Sequence, residues 1–163
     1  MEGKVQEGRR YESVEDLSED QGRLIYIAKQ KDKMFVVVDG QEQMQHDRDP
    51  KSWNQNIKTP KIVNGKLAYV LDLGTSAALF YDGKEIDRVD KSIPYSGGID
   101  SIGELNGELV YMISDGGSNK RAVLGNRTIV ADPKLQFIDC NDGRFKYLSD
   151  GKWHSEDGKE IPK

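Results

Sequence analysis

The stretch Asn64-Gly65-Lys66-Leu67-Ala68-Tyr69-Val70, continued by Phe80-Tyr81-Asp82-Gly83-Lys84-Glu85, decides the fold. Its first part recurs as Gly22-Arg23-Leu24-Ile25-Tyr26-Ile27, as Asn106-Gly107-Glu108-Leu109-Val110-Tyr111-Met112 and as Asp142-Gly143-Arg144-Phe145-Lys146-Tyr147-Leu148. Each copy places a tyrosine four residues after the glycine, with Leu or Phe two residues after it. The tyrosines at 26, 69, 111 and 147 are separated by 43, 42 and 36 residues. The second part recurs as Val37-Val38-Asp39-Gly40-Gln41-Glu42, as Val123-Leu124-Gly125-Asn126-Arg127-Thr128 and as Ser155-Glu156-Asp157-Gly158-Lys159-Glu160.

Asp-Gly between two strand-like runs is a hairpin signal, because a type I′ turn needs positive φ at both central residues. Gly-Asn serves a two-residue turn as well. A third marker precedes each glycine motif: Tyr11-Glu12-Ser13-Val14, Ile57 to Val63, Ile99-Asp100-Ser101-Ile102 and Leu135 to Cys140. Each unit therefore reads as four short strands. In the second unit they are Ile57 to Val63, Lys66 to Leu71, Ala77 to Tyr81 and Lys84 to Val89. The second strands are apolar on both faces: Leu67, Tyr69 and Leu71 on one, Ala68 and Val70 on the other. A sheet with one solvated face alternates apolar with polar, so these sheets are expected to be stacked between neighbours. The fourth strand, with Lys84, Glu85, Asp87 and Arg88, is polar, as suits an outer edge. A period of about 40 residues marks a β-propeller or a related repeat array.

The expected architecture is all-β, a propeller-like array of about four small antiparallel sheets in one repeat domain. Its units are roughly 11–47, 57–90, 99–131 and 135–161. Residues 1–10 are expected as a closing strand, in competition with Lys159-Glu160-Ile161 for the edge of the last sheet. Little helix is expected, with a short turn near Ser13 to Asp20 as the exception. In the degenerate last unit Lys146 replaces Ile25, Ala68 and Val110, while Ser155 and Glu156 replace the apolar pairs of earlier units. Terminal repeats are atypical because one face meets water.

Composition fits thin layers better than one large core: 36% hydrophobic, 32% charged, with 17 glycines. A net charge of −4 with both signs interspersed argues against nucleic-acid binding and a polybasic membrane patch. The longest apolar run, Met34 to Val38, is far short of a membrane span. Met1-Glu2-Gly3-Lys4 lacks an apolar signal core. The expectation is a cytoplasmic chain, or one that begins after a removed export signal. The single cysteine, Cys140, reads as a small strand residue.

The stretch Gln45 to Asn56 is the least repeat-like and is expected to be a loop with its own purpose. It supplies His46 and Trp53 as candidate ligand contacts; Tyr95, in a second loop, is another. His46, Asp47 and Asp49 are too few for a zinc site, since the only other histidine is His154. Asp139-Cys140-Asn141-Asp142-Gly143 places glycine at position 5 rather than 6 of a calcium loop, and Asp150 rather than Glu at 12. No metal and no cofactor is expected. Ser96-Gly97-Gly98 and Asp115-Gly116-Gly117-Ser118 lack the Gly-Lys-Ser/Thr of a phosphate loop and read as a loop and a hairpin tip. No Gly-x-Ser-x-Gly elbow occurs. Trp153, aligned with Phe35 and Ala78, is expected in the core.

The run Asn64 to Val70 followed by Phe80-Tyr-Asp-Gly-Lys-Glu-Ile resembles the repeats of bacterial WD40-like β-propeller proteins. Asp150-Gly-Lys-Trp followed by Asp157-Gly-Lys-Glu-Ile-Pro162 is similar to WG-type β repeats. The resemblance covers about 150 residues and implies a scaffold, not a reaction; propellers of this kind have six to eight blades, whereas this chain has at most four. The function expected is therefore a non-enzymatic binding module for a protein or glycan, with Trp53, Tyr95 and His46 as its candidate contacts. A second reading is a carbohydrate-active hydrolase using paired carboxylates. A third is one half of a two-chain propeller, a homodimer closing an eight-sheet ring.

Overall fold

A computed structural model describes residues 11–49, 55–93, 96–140 and 143–162. Over these residues the chain forms four small antiparallel sheets and no helix. Sheet 1 holds β1 (Ser13–Asp20), β2 (Arg23–Gln30), β3 (Lys33–Val38) and β4 (Gln41–Asp47). Sheet 2 holds β5 (Asn56–Val63), β6 (Lys66–Asp72), β7 (Ser76–Tyr81) and β8 (Lys84–Asp90). Sheet 3 holds β9 (Gly98–Leu105), β10 (Glu108–Ser114), β11 (Lys120–Leu124) and β12 (Arg127–Ala131). Sheet 4 has three strands, β13 (Leu135–Asp139), β14 (Lys146–Ser149) and β15 (Lys152–Ser155). Within every sheet the strands are neighbours in chain order, a meander, so the architecture is a propeller-like array of small sheets.

The turns follow from residue type. Asp82 and Gly83, at φ 53° and 74°, make the two-residue hairpin between β7 and β8. In the third unit positive φ falls on Gly125 alone of the pair Gly125-Asn126, the pattern of a type II′ turn. The last unit differs. The Gly158 amide donates to the Ser155 carbonyl at 2.9 Å, and the return strand shrinks to one bridge, His154 to Glu160. The Ile161 amide donates to the Trp153 carbonyl at 2.8 Å, so residues 159–161 hold the outer edge of β15. The expected closing segment 1–10 lies outside the described residues.

The first strands carry a second repeat that matches the tyrosines. Asp16, Thr59 and Ser101 all have positive φ, at 51°, 48° and 55°, and each sits in a β-bulge. Their spacing, 43 and 42 residues, equals that of Tyr26, Tyr69 and Tyr111. A bulge bends its strand and raises its twist, which brings β1, β5, β9 and β13 together around an axial groove. The expected turn at Ser13 to Asp20 is therefore a correction: this segment is strand β1, paired with β2. Its bulge between Glu15 and Ser18 breaks the two-residue alternation, and Val14 and Leu17 are exposed. That removes the apolar pattern by which a strand is read.

Packing is face on face between successive sheets. Ile25, Ile27 and Val36 of sheet 1 meet Tyr69 and Leu71 of sheet 2. Val70 and Leu79 of sheet 2 meet Tyr111 and Ile113 of sheet 3. Met112 and Leu124 of sheet 3 meet Leu135 and Phe145 of sheet 4. Cys140 borders this last cluster. The register corrects the alignment of Trp153. It pairs with Leu148 as Val36 pairs with Ile27, Leu79 with Val70 and Ala122 with Met112. Trp153 therefore lies on the face that receives the next sheet in the other units, not in the core. There it meets Phe137 edge to face at 6.2 Å, and Phe137 is 48% exposed. The last unit is shorter between its tyrosine and third strand, which shifts the comparison by one residue and hence by one face. By the same register, His154 and Ser155 are the counterparts of Val37 and Val38.

The stretch from Gln45 to Asn56 is also less loop than expected: Gln45 to Asp47 belong to β4, and Asn56 opens β5. The two glycine-rich segments interlock. A Cβ on Gly97 would lie 2.3 Å from the Gly116 nitrogen, so only glycine allows this approach of backbones. Beside it, the Lys91 ammonium, 1% exposed, donates to the Asp72 Oδ1 at 2.8 Å. Lys58 donates to the other Asp72 oxygen at 2.6 Å, and the Gly74 amide to Oδ1 at 2.8 Å. Burial pushes the Asp72 carboxyl up, but these donors outweigh it and hold its pKa below the ordinary 3.8.

Two outcomes follow from this packing. Tyr69, 0% exposed, should cost about 3–5 kcal/mol on truncation to alanine; urea unfolding measures it, and a loss under about 0.5 kcal/mol, typical of surface positions, contradicts the packing described. Asp72→Asn strands the buried Lys91 charge and should cost about 3 kcal/mol or more. Because the folded Asp72 pKa is depressed, its contribution is complete above about pH 4 and is lost as pH falls through the folded value. The Asn variant should lack that acid-limb dependence.

Candidate ligand-binding site

The second-strand tyrosines Tyr69 and Tyr111 each enter the junction with the preceding sheet, where the ring needs a filler and the hydroxyl a partner. At the first junction both are present. Tyr69 stacks flat on Phe80, with centroids 5.1 Å apart and planes at 4°. His46, on β4, meets Phe80 at 5.1 Å and Tyr69 at 5.6 Å, both edge to face. The His46 Nε2 and the Tyr69 hydroxyl share a hydrogen bond of 2.8 Å. Burial pushes the Tyr69 phenol well above its ordinary pKa. It pushes the His46 imidazole below 6.5, against a smaller upward pull from the Asp47 carboxylate.

The second junction is built to the same plan with different residues. Register pairs Tyr69 with Phe80 but Tyr111 with Val123. A valine thus stands where the aromatic filler was. β8 supplies Asp87 instead of an imidazole, and the Tyr111 hydroxyl donates to its Oδ2 at 2.8 Å. Burial, then the Asp87 carboxylate, raise the Tyr111 phenol far above its ordinary value. Arg121, 41% exposed, holds its Nη2 3.7 Å from the same Asp87 oxygen. The missing ring leaves a cavity of about 620 Å³ walled by Tyr81, Ile86, Asp87, Tyr111, Arg121 and Val123. The β9–β10 and β11–β12 turns complete it through Gly107, Glu108, Gly125 and Asn126.

Two other concavities compare poorly. The axial groove, about 540 Å³, gathers Asp20, Thr59, Ser101, Glu104 and Asp139 from four first strands. Two of its carboxylates are engaged in joining sheets: Asp20 Oδ2 accepts from the Ile62 amide at 2.6 Å, and Glu104 Oε2 from the Asn64 amide at 2.7 Å and from Gln21 Nε2 at 3.3 Å. The hollow beside Trp153, about 590 Å³, is rimmed by the exposed ends of Asp150, Lys152 and Glu160, the last two ion-paired at 2.8 Å.

Of the residues singled out in the sequence, His46 is half-buried and engaged with Tyr69 and Phe80 rather than displayed on a loop. Trp53 and Tyr95 lie outside the described residues. Among the described residues no group of three or more His, Cys, Asp or Glu is arranged to hold a metal ion. Asp87, Arg121 and Tyr111 went unnoticed as a group because they lie on three different strands. The readable signal was the loss of the aromatic at Val123, at the position of Phe80. Compared with known protein families, curated proteins and solved structures, the chain matches none of them.

The His46 contact has a pH signature. With its folded pKa lowered below 6.5, its contribution to stability is complete above that value and is lost as pH falls through the folded pKa. Urea midpoints should drop between about pH 7 and pH 5 in the native chain, and drop less in His46→Gln. An identical drop in both assigns the effect to other groups.

Proposed function

We propose that the chain is a non-enzymatic binding scaffold of propeller type, and that its ligand sits in the junction between sheets 2 and 3. The observation that supports this is the exchange of Phe80 for Val123 beside a tyrosine whose hydroxyl is already anchored. A large-to-small change in a core costs stability. Here the space carries a carboxylate, a guanidinium and a phenol converging on one cavity. A concave, mostly apolar site with few fixed polar groups is the usual form of a small-molecule pocket, and the volume falls in that class.

The chemistry of the cavity favours holding over turnover. Its lining holds a threonine hydroxyl, Thr128, but no histidine or lysine to activate it as a neutral base, and no serine or cysteine. Asp87 accepts from the Tyr111 hydroxyl and stands across from Arg121, so it is held as a positioning group of the cavity wall. The hydrolase reading needs a pair of carboxyls free to act on a substrate, and the axial carboxylates Asp20 and Glu104 are engaged by backbone amides of the neighbouring sheet.

Val123→Phe restores the filler of the first junction and tests the reading. In a protein-observed NMR screen of a general fragment library, hits should shift the ring resonances of Tyr81 and Tyr111 and should vanish in Val123→Phe, whose urea midpoint stays at or above the native one. Hits that persist in that variant, or that map to Trp153, sink the proposal.

A further inference from the structure

The two ion pairs bordering the junction cavity are loose. Arg121 stands 3.7 Å from Asp87, and Arg127 stands 3.8 Å from Glu108. By comparison, the ammonium groups of Lys91 and Lys58 lie 2.8 and 2.6 Å from the Asp72 carboxylate. At 3.7 and 3.8 Å a guanidinium and a carboxylate are not hydrogen-bonded to one another. Each has capacity left: guanidinium N–H groups that only donate, and carboxylate oxygens that only accept, those of Asp87 taking one bond each from the Tyr111 hydroxyl and the Arg88 amide.

We infer that this cavity takes a neutral, polyhydroxylated ring, a saccharide, whose hydroxyls insert between Arg121 and Asp87 and reach Glu108. This rests on the junction cavity being the binding site. The argument is one of matching. A hydroxyl both donates and accepts, so a single group satisfies Arg121 and Asp87 together. A ligand carboxylate or phosphate satisfies Arg121 but meets two like charges, Asp87 and Glu108; a ligand cation satisfies those two and repels Arg121. Apolar walls from Leu109, Ile86 and Val123, with the rings of Tyr81 and Tyr111, suit the C–H faces of a sugar ring. The site is also prearranged. The Tyr111 hydroxyl fixes one Asp87 oxygen, and the Tyr81 hydroxyl donates to the Val63 carbonyl at 3.2 Å, which sets its ring as a wall. Fixing these groups before binding lowers the ordering cost of association.

The test uses an isosteric charge series: D-glucose and N-acetyl-D-glucosamine as neutral rings, D-glucuronate as the anion and D-glucosamine as the cation, titrated by saturation-transfer NMR at millimolar concentrations. A neutral ring should bind most tightly. Arg121→Ala and Asp87→Ala should each weaken it about ten- to a hundredfold, the loss of a hydrogen bond to a charged group. Arg121 is half-exposed, so its variant should keep the native urea midpoint and report binding alone. Tighter binding of glucuronate or glucosamine that is abolished by Val123→Phe overturns the saccharide class and leaves the binding site standing. Sugar binding that survives Val123→Phe overturns both. Absence of binding by all four rings overturns the saccharide class, and the fragment screen then judges the site on its own.

Discussion

A buried phenol with an unmet hydroxyl is the constraint on which the stack depends. Tyr69 and Tyr111 are taken wholly out of water by the sheet ahead of them, and an unpartnered hydroxyl there would cost about 1–3 kcal/mol. Each finds its partner on the fourth strand of the preceding sheet: His46 on β4, Asp87 on β8. The tyrosine therefore fixes more than its own core. It ties the outermost strand of one sheet to the second strand of the next, and so sets how the two faces are offset. Near the axis a second set of ties does the same, with Asp20 and Glu104 accepting backbone amides from the neighbouring sheet. The first two junctions are thus pinned at both ends, with apolar packing between.

The choice of partner also decides what a junction is for. A histidine ring with a phenylalanine fills space and closes the first junction. An aspartate with a valine satisfies the same hydroxyl and leaves room. The hydrogen-bond requirement is thus met in both cases, while the volume is free to vary. This is how one repeat supports a sealed junction and an open one on the same arrangement of strands.

Much of the fold was legible in the residues. Two-residue turns at Asn-Gly and Asp-Gly and strands apolar on both faces dictate short hairpins stacked between neighbours, and the sheets fall within a residue or two of that reading. What escaped has physical causes. β1 is polar and bulged, so its strand character comes from pairing with β2 and not from its own pattern. Trp153 was placed on the wrong face because the last unit is shorter, and a slip of one residue in a strand exchanges inside for outside. The cavity was hidden because it depends on side chains brought together by stacking, and on a volume difference between Phe80 and Val123 that strand patterns ignore. His46 was noticed for its chemistry, yet its neighbours turn it into packing.

The polar exchanges on the outward face of sheet 4 bear on what that face can receive. Three sheets display an apolar face toward the one that follows, and the last displays Leu148 and Trp153 beside Lys146 and Ser155, a cross-strand pair in the place of Ile25–Val38, Ala68–Tyr81 and Val110–Leu124. A solid whose growing surface repeats its own template extends without limit, and head-to-tail contacts that do not close give filaments. An ammonium group and a hydroxyl set into that surface cost more to bury than the apolar pairs they replace, so this face is a poorer seat for a further sheet than the three before it.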